Sequence, residues 1–391
     1  MRTLPTKATH QQTRTYNQQL VLRTIFDHGK ISRADVARQT KLTRVTVSEI
    51  VSDLIDTGLV AEVGMGTSAG GKTPILLSVV DDSYHMIGVD LANDEIRGAV
   101  VNLRGEIRHA LSLPLESVDS EVSLNQVYEL LDALIAQTDR PLLGIGIGTP
   151  GLLDTTNGIV RHAVNLGWVD LPLGSLLQDR YAVPVYVAND SQVSALAEHI
   201  FGAGRRESSL VVVRVGRGIG AGVILDRQLF QGEGFGAGEI GHIGLRSDGD
   251  RCRCGNDGCI ETVGSTLAIV RRVQAAASHL GAAPDMEDIL AAFEAGDPVV
   301  RQIIQEAGRA VGFGVACLTS SLNIRHVLLV GSVTRFGEFW LQAVREEMNR
   351  CTLPALAAET RLAFGEIGGN AVILGACALL MTREIGLNLV R

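Results

Sequence analysis

Three cysteines lie close together in the chain, and a histidine stands ten residues before the first of them. Thiolate sulfurs and imidazole nitrogens are the ligands that tetrahedral Zn²⁺ takes in structural sites. Gly255 and Gly258 permit the tight backbone that turns three sulfurs inward. Protein groups would fill all four positions, so we expect structural rather than catalytic zinc; a reduced, metal-free loop is the alternative. The predicted ligands are His242, Cys252, Cys254 and Cys259.

A second group of side chains, near the N terminus, has the types that contact DNA. Arg44, Thr46 and Ser48 share one face of a predicted helix, which Thr43 caps and whose opposite face is apolar. Arginine reads guanine in the major groove, and Ser or Thr contacts bases or phosphates. Glu49 on the same helix either accepts from cytosine or repels phosphate, and both interpretations stay open.

Two more helices and a hairpin are predicted around this helix. The predicted elements are a helix over 17–28, a second helix after Ser32, the third after Thr43, and strands at 59–63 and 75–80. Two helices joined by a tight turn are typical of proteins that insert a recognition helix into the major groove. Lys72, at the tip of the glycine-rich loop between the strands, would meet a backbone phosphate. The alternative is a helical bundle that contacts other proteins.

Charge is divided unevenly between this segment and the rest of the 391 residues. Up to Val80 there are ten Lys and Arg against six Asp and Glu, a net charge of +4. The remainder has 25 against 37, a net charge of −12, and contains no lysine. A basic segment can neutralise phosphates, whereas an acidic body favours small molecules or protein contacts. Chance variation is the alternative, because +4 is a small excess.

Composition places the chain among ordinary α/β proteins. Hydrophobic residues make up 46% and charged residues 20%, with 44 glycines and 10 prolines, and the length suggests two or three domains. No apolar run reaches the roughly 18 residues that span a bilayer, and no apolar signal region follows Met1. We therefore expect a cytoplasmic protein without a membrane partner.

Strands and helices alternate from residue 86 onward, which predicts an α/β body. The predicted strands cover 86–89, 96–103, 142–148, 183–187, 210–215, 221–225 and 326–330, and the predicted helices 124–137, 191–200, 265–277, 298–322 and 371–381. Three strands end in loops rich in glycine or small residues, at 148–151, 216–222 and 331–332. Loops at the carboxyl ends of strands are where ligands bind in such folds.

The segments GEIGHIGL (238–245) and CRCGNDGCIE (252–261) resemble the signature of the ROK family, which contains bacterial sugar kinases and sugar-responsive repressors. Other motifs follow in the family's order: GVDLA at 88, GIGTPG at 146, NLGW at 165, ND at 189 and GRGIGAG at 216. The resemblance covers nearly the whole chain from about Tyr16. It implies a two-lobed, actin-like (ribonuclease H-like) sugar kinase fold with a structural zinc loop, and a winged helix-turn-helix head as in the repressor branch.

The resemblance also implies a division of the chain. The expected parts are a DNA-binding head at 1–80 and a sugar-binding body at 81–391, the latter with a first lobe at 81–190, a second lobe at 191–370 that includes the zinc loop 242–261, and a C-terminal helix at 371–391 that returns to the first lobe. Family members with this body are usually dimers or tetramers.

Several residues match the family's sugar contacts. Carboxylates and amides suit a sugar because a bidentate acceptor can hold two adjacent hydroxyls. One nitrogen of His242 would bind zinc and the other the sugar. The alternatives are structural, since Asp190 could only begin a helix and the two glutamates could only support the metal loop. The sugar-binding residues that the resemblance implies are Asn165, Asn189, Asp190, Glu239, His242 and Glu261.

Whether the body is still a kinase depends on its phosphate loops. Asp190 occupies the position of the family's catalytic base. The family's kinases carry Asp-x-Gly-Gly-Thr in the first loop, where backbone N–H groups approach the triphosphate. Here residues 90–94 read DLAND, which lacks both glycines and places a carboxylate where phosphate would bind. The second loop keeps its glycines, with Arg217 where the kinases usually have Thr, so residual ATP binding stays open.

The sequence thus predicts a sugar-responsive repressor of carbohydrate metabolism genes rather than an enzyme. Its expected partners are double-stranded operator DNA, a monosaccharide effector of the xylose or glucose type, and further copies of the chain. An ATP-dependent sugar kinase with an attached DNA-binding head is the alternative, and a DNA-binding module without an effector is a third possibility.

Overall fold

A computed structural model of the chain describes residues 9–67, 73–91, 95–163, 166–281 and 283–386. Three sequence predictions fall outside these ranges: Lys72, Asn165 and the part of the first phosphate loop at 92–94. Within the described ranges, no helix combines the length and the apolar character needed to pass through a lipid bilayer.

Three helices and a small sheet form the N-terminal part of the described chain. They are α1 (His10–His28), β1 (Ile31–Ser32), α2 (Arg33–Thr40), α3 (Arg44–Asp56), β2 (Val60–Met65) and β3 (Ile75–Val79). β2 and β3 form an antiparallel hairpin, and β1 pairs with the other edge of β3. The helices and β3 enclose fully buried side chains that include Val21, Val36, Val51, Leu54 and Leu77.

Side-chain caps fix the starts of these helices. The Ser32 hydroxyl accepts a hydrogen bond from the N–H of Asp35 at 3.2 Å, and the Thr43 hydroxyl accepts one from the N–H of Thr46 at 3.1 Å. α1 begins at His10, before the predicted residue 17, because Thr9 caps it and exchanges hydrogen bonds with Gln12. Residues 11–16 are polar and exposed, so no apolar periodicity marks them in the sequence.

The body opens with a mixed five-stranded sheet in the order β11-β7-β4-β5-β6. In chain order its elements are β4 (His85–Asp90), β5 (Glu95–Asn102), β6 (Ile107–Pro114), α4 (Ser120–Ile135), β7 (Leu142–Thr149), β8 (Leu152–Asp154), β9 (Ile159–Ala163), β10 (Trp168–Leu171), α5 (Leu173–Tyr181), β11 (Val185–Asn189) and α6 (Asp190–Ile200). β4, β5 and β6 form an antiparallel meander, and β7 and β11 add parallel to β4. β8, β9 and β10 form a separate antiparallel sheet.

A second five-stranded sheet, in the order β14-β13-β12-β15-β16, repeats the same plan. The elements are β12 (Leu210–Val215), β13 (Ile219–Leu225), β14 (Gln228–Phe230), α7 (Glu261–Gly264), α8 (Thr266–Ala276), α9 (Met286–Glu294), α10 (Pro298–Leu322), β15 (His326–Val330), α11 (Gly337–Cys351), α12 (Pro354–Glu359), β16 (Arg361–Phe364) and α13 (Ala371–Glu384). Again three strands form a meander, and β15 and β16 add in parallel.

The glycine-rich loop predicted over 216–222 is shorter than the sequence suggests. β13 begins at Ile219, so Gly220 and Gly222 lie inside the strand and the prediction was wrong for that half. A Cβ at Gly220 would lie 2.4 Å from Ser191 Oγ, and one at Gly222 would lie 2.6 Å from Ser191 O. These two glycines let α6 approach the strand, and a sequence pattern does not separate that use from a phosphate loop.

The last helix of each sheet unit packs on the sheet of the other unit. α6 follows β11 of the first sheet but packs on β12 and β13 of the second, and α13 follows β16 but packs on β4 and β7 of the first. The two helices also contact each other so closely that a Cβ at Gly375 would lie 1.8 Å from Val193 O. We call α6 and α13 the exchanged helices.

One arginine joins the N-terminal helices to the first sheet. Arg104 follows β5, and its Nη1 donates to Phe26 O at the end of α1 at 2.7 Å. Its guanidinium also lies 4.7 Å from the centroid of the Phe26 ring, and its Nε donates to Asp81 Oδ1 at 2.9 Å. These contacts hold α1 against the β5–β6 turn.

Candidate functional site

The cysteine segment folds so that its sulfurs meet His242. Cys252 Sγ lies 3.6 Å from His242 Nδ1, and Cys254 Sγ lies 3.7 Å from Cys259 Sγ. All four potential ligand atoms lie within 4.8 Å of one another. A hydrogen bond from Cys252 N to Asn256 O, 2.8 Å long, closes the turn between the sulfurs. The structure therefore brings the four predicted metal ligands together.

The spacing and chemistry of this cluster fit a tetrahedral metal ion. Zn–S bonds of about 2.3 Å place ligand atoms roughly 3.7 Å apart at the corners of a tetrahedron. Burial raises the pKa of the Cys252 thiol, and burial together with the neighbouring thiols raises the pKa of Cys259 to about 12. Such thiols keep their protons until a cation displaces them, so metal binding here would release protons.

Beside the cluster, three carboxylates converge on one space. His242 turns Nδ1 toward the thiols, and its Nε2 lies 3.9 Å from Glu239 Oε2. Burial raises the pKa of Glu239 to about 7, and the negative charges of Asp190 and Glu261 contribute to the rise. Such repulsion acts between nearby charges, so the carboxylates of Asp190, Glu239 and Glu261 lie near one another beside His242, and we call the space among these four side chains the carboxylate cleft.

Asn189 and Asp190 stand where β11 passes into α6. Asn189 is the N-cap of the helix, and its Oδ1 accepts from the N–H groups of Ser191 at 2.9 Å and Gln192 at 3.3 Å. Asp190 is the first helical residue, and its carboxylate is 91% buried, with a side-chain exposure of 9%. The capping role explains the position of Asn189, whereas Asp190 points a buried charge into the carboxylate cleft and needs compensation.

That compensation comes from Arg214, which the sequence analysis missed. Arg214 Nη1 donates to Asp190 Oδ2 at 2.7 Å, and both side chains are largely buried. A single arginine in the otherwise apolar strand LVVVRV was the available signal, since arginine is almost never buried without a partner. Which carboxylate it would meet depends on the packing of α6 against β12, and the sequence does not show that packing.

Glu261 is bound to the second glycine loop. Its Oε2 accepts from the N–H of Ile219 at 3.0 Å, and a Cβ at Gly218 would lie 2.7 Å from the same oxygen. One backbone donor of the loop that could cradle a phosphate is therefore already paired with a carboxylate. The N–H of Ala221 in turn donates to Gly238 O at 2.8 Å, so β13 positions both Glu261 and the segment that carries Glu239.

In the N-terminal part, the predicted DNA contacts lie at the start of α3. Arg44 and Ser48 are exposed, and Thr46 is half-buried with its hydroxyl 2.9 Å from that of Thr43. Glu49 is exposed as well, while the opposite face of the helix is buried. The structure thus presents these side chains to solvent on one face of α3.

Two surface cavities, of about 620 and 550 Å³, lie elsewhere on the body. The first is lined by residues that include Tyr186 and Glu384, and the second by residues that include His85 and His109. Neither contains a residue of the carboxylate cleft or the cysteine cluster. The candidate functional site is the carboxylate cleft together with the adjoining cysteine cluster, because charged groups and potential metal ligands converge there.

A family model described as the ROK family matches residues 86–383. The chain therefore belongs to the ROK family, and its body has the actin-like, kinase-type fold with mixed α/β sheets. It is 33% identical over 387 residues to a protein named "Xylose repressor" from Caldicellulosiruptor bescii, with 95% of this chain and 97% of that protein covered. It is 30% identical over 374 residues to NagC, a DNA-binding transcriptional dual regulator of Escherichia coli, covering 93% and 92%.

Solved structures show the same relationship. The crystal structure of a ROK family transcriptional regulator, a homologue of the E. coli MLC protein, superposes with a TM-score of 0.83 and 28% identity, covering 96% of this chain and 98% of that one. A ROK family glucokinase from Streptomyces griseus, in complex with glucose and AMPPNP, gives a TM-score of 0.69 at 28% identity and covers 75% of this chain and 98% of its own.

Proposed function

We propose that the chain is a sugar-responsive transcriptional repressor, which binds operator DNA through its N-terminal part and a monosaccharide through its body. One observation carries the proposal: proteins named xylose repressor and NagC match at least 93% of the chain. The glucokinase, which lacks a regulatory name, covers only 75%. The regulators therefore match a part of this chain that the kinase does not match.

The N-terminal part would act as a winged helix-turn-helix over residues 1–80, with α3 as the recognition helix. The turn between α2 and α3 is tight because Lys41 adopts a left-handed conformation, with φ 59°, at the C-cap of α2. Arg44, Thr46 and Ser48 would contact bases and phosphates in the major groove. The β2–β3 hairpin would be the wing, with Lys72 between its strands reaching a backbone phosphate.

Zn²⁺ is the metal that the cysteine cluster would hold. Three thiolates and one imidazole fill a tetrahedral coordination sphere, which leaves no open position for catalysis. The metal would stabilise the loop 242–261 and fix the ring of His242. Its Nε2 would then face the carboxylate cleft in a fixed orientation.

A monosaccharide would bind in the carboxylate cleft of the body, residues 81–391. Carboxylate oxygens accept hydrogen bonds from hydroxyl groups, and two oxygens can hold an adjacent pair of hydroxyls. The half-buried Glu239 and the more deeply buried Asp190 and Glu261 supply such acceptors. The proposed sugar contacts are Asn165, Asn189, Asp190, Glu239, His242 and Glu261.

A sugar kinase is the second candidate, favoured by the structural similarity to the glucokinase and by the presence of Asp190. Two features weigh against it. Asp190 lies in an ion pair, with Oδ2 bound by Arg214 and Oδ1 by the N–H of Ser191 at 2.8 Å, and it would weaken that ion pair by taking up a proton as a general base does. The first loop, DLAND, also lacks the glycines that would admit a triphosphate.

Sugar binding would release DNA by changing the arrangement of paired heads. A homodimer or homotetramer in the cytoplasm would present two copies of α3 to two operator half-sites one or more helical turns apart. Closing the two lobes around a sugar would change the spacing of the heads. The sugar acts as an inducer only if it binds more tightly to the conformation that does not bind DNA.

The test combines ligand screening with DNA binding. A thermal-shift screen of D-xylose, D-glucose, N-acetyl-D-glucosamine and their phosphates identifies the sugar, because a ligand that binds the folded state raises Tm. An operator selected by the protein from random DNA then serves in gel-shift assays with and without that sugar. DNA release without ADP formation in the presence of ATP is the expected result. Sugar-dependent ATP turnover at ordinary kinase rates would overturn the proposal in favour of the kinase.

A further inference from the structure

Arg214 is a charged residue placed inside an apolar strand. β12 reads LVVVRV, and the side chain of Arg214 is only 12% exposed. Residues in a strand alternate between the two faces of a sheet, so Arg214 shares the face of Val212. That face packs on α6, the helix that begins with Asp190. The position of Arg214 thus directs its guanidinium to the N terminus of α6.

The ion pair at this point leaves neither oxygen of Asp190 without a partner. Arg214 Nη1 donates to Oδ2 at 2.7 Å, and Oδ1 accepts from the N–H of Ser191 at 2.8 Å and from its hydroxyl at 3.3 Å. Gly220, paired with Arg214 in the β12–β13 ladder, makes the approach possible because any Cβ there would strike Ser191 Oγ at 2.4 Å. The place of Arg214 on β12, the start of α6 at Asp190 and the absence of a side chain at Gly220 together allow this ion pair to form.

A guanidinium bound to a carboxylate changes what the carboxylate can do. Its N–H holds the carboxylate in one orientation, so Asp190 keeps a fixed place as a hydrogen-bond acceptor. A guanidinium also has five N–H donors, of which the contact with Asp190 uses one. The three carboxylates of the cleft can only accept while ionised, whereas a sugar hydroxyl both donates and accepts. An arginine beside Asp190 places a donor next to that acceptor.

We propose that Arg214 is a positioning and specificity-determining residue of the sugar site. It fixes the orientation of Asp190 as an acceptor and donates an N–H to the ligand hydroxyl that Asp190 accepts from, so that the pair recognises one hydroxyl in both directions. The proposal rests on the proposed function, because it assigns a role in the same cleft.

The experiment measures sugar affinity by isothermal titration with the full-length protein. D-xylose is the first probe, followed by D-glucose and N-acetyl-D-glucosamine if D-xylose gives no heat, and then by analogues of the bound sugar that each lack one hydroxyl. Arg214→Met should weaken binding by about tenfold or more, because a buried charge-assisted contact is lost. Arg214→Lys should recover part of the affinity, since it restores the charge but not the planar donor group.

Hydroxyl discrimination separates recognition from a merely structural role. The wild-type protein should bind each deoxy analogue less well, and Arg214→Met should reduce the penalty for one hydroxyl position only. Asp190→Asn with Arg214→Met should lose less affinity than the product of the two single losses, because the two residues hold the same hydroxyl. The double variant buries no unpaired charge, so it remains informative if Arg214→Met alone does not fold. Arg361→Met, an exposed arginine on β16 of the same sheet, is the control and should bind as wild type does.

Two outcomes overturn the proposal. One is sugar binding by Arg214→Met within about twofold of wild type, and the other is a multiplicative loss in the double variant, which would make the two residues independent. If no sugar binds even the wild-type protein, the proposed function fails and this inference fails with it. If wild type binds sugar and Arg214→Met binds it equally well, only the inference fails.

Discussion

Among single residues, the cysteine cluster is the simplest to test because one of its ligands is accessible. Cys254 is exposed, whereas Cys252 and Cys259 are buried, so replacing Cys254 disturbs little packing. Cys254→Ser should lower bound zinc to below about a tenth of an equivalent per chain, because the tetrahedral thiolate set is broken. Sugar affinity should fall as well, since His242 loses its fixed orientation.

Elemental analysis of the purified protein measures the zinc content. Cys317→Ser, in a half-buried cysteine on α10 outside the cluster, is the control and should retain full zinc. A Cys254→Ser protein with unchanged zinc content would mean that the metal has other ligands.

Arg44 separates DNA binding from sugar binding. It is exposed at the start of α3, so Arg44→Ala should leave folding and sugar affinity unchanged. Operator affinity should fall by about 1–3 kcal/mol if Arg44 contacts a base. Gel-shift titration against the selected operator measures the change, and Arg361→Ala on the far sheet is the matched control. An unaltered shift would remove Arg44 from the DNA-binding surface.

His199 gives the protein a predictable sensitivity to acid. Burial, reinforced by the charge of Arg23 in α1, lowers its pKa from 6.5 to about 4. Between these two values only the unfolded chain takes up the proton, so the free energy of unfolding falls as pH drops from 6.5 toward 4. His199→Leu should remove that slope, and the wild-type protein should lose roughly 2–3 kcal/mol more than the variant between pH 7 and 4.5.

Urea unfolding at a series of pH values measures the difference. His162→Leu, which replaces an exposed histidine on β9, is the control and should keep the wild-type slope. Parallel pH profiles for His199→Leu and wild type would contradict the assignment.

The residues of the site differ in how far the sequence could reveal them. The cysteines are close in the chain, and their spacing alone indicates a metal cluster. Asp190 and Arg214 are 24 positions apart and meet only because α6 packs on β12, so their pairing depends on tertiary structure. The sequence suggested a helix-starting role as an alternative for Asp190. In the structure the neighbouring residue Asn189 makes the capping hydrogen bonds of that helix.

For the secondary-structure elements, the contact between the exchanged helices makes a sharp prediction. A Cβ at Gly375 would lie 1.8 Å from Val193 O, a backbone atom that cannot turn aside. Gly375→Ala should therefore lower the free energy of unfolding by at least about 2 kcal/mol through overpacking. Chemical denaturation compares it with Gly369→Ala, just before α13, where a Cβ meets nothing within 4 Å. Equal stability of the two variants would show that α13 shifts freely.

Which elements the sequence could define depends on their burial. α10 was predicted over 298–322 and is found at those residues, because its apolar periodicity is long and Asp297 and Pro298 mark its start. β6 was not predicted, although Ile107, Leu111 and Leu113 alternate with polar residues, because most of the strand is exposed and adds little to an apolar core. Polar or edge elements carry little hydrophobic signal, so tertiary contacts rather than local pattern decide where they lie.

For the whole molecule, the central expectation is that sugar binding and DNA binding can be separated by one substitution in the body. Asp190→Asn removes the charge that we place against the sugar but lies far in sequence from α3. DNA release should need a much higher sugar concentration, because the affinity for the sugar falls, while operator affinity without sugar remains within about twofold of wild type.

Gel shifts at increasing sugar concentration measure the response. Asp179→Asn, an exposed carboxylate on α5, is the control and should release DNA as wild type does. A variant that still releases DNA at the wild-type sugar concentration would exclude Asp190 from the effector site.

The overall architecture was accessible from motifs, and the family resemblance implied part of the helix exchange. The signature segments pointed to the ROK family and hence to a two-lobed body, and the family match confirms that assignment. The resemblance also implied a C-terminal helix at 371–391 that returns to the first lobe. The expected division also placed the predicted helix 191–200 in the second lobe, and α6 packs on the second sheet. The direct contact between α6 and α13 was not expected, because contacts between helices distant in the chain depend on three-dimensional packing.

That exchange makes the body a natural candidate for split-protein complementation. Cutting the backbone in the turn between α6 and β12 would yield two polypeptides, each with a complete sheet and with the helix that shields its counterpart's sheet. Alone, each fragment would leave the apolar face of its sheet open to water and would aggregate. Together they could reassemble, so the architecture couples the solubility of either half to the presence of the other.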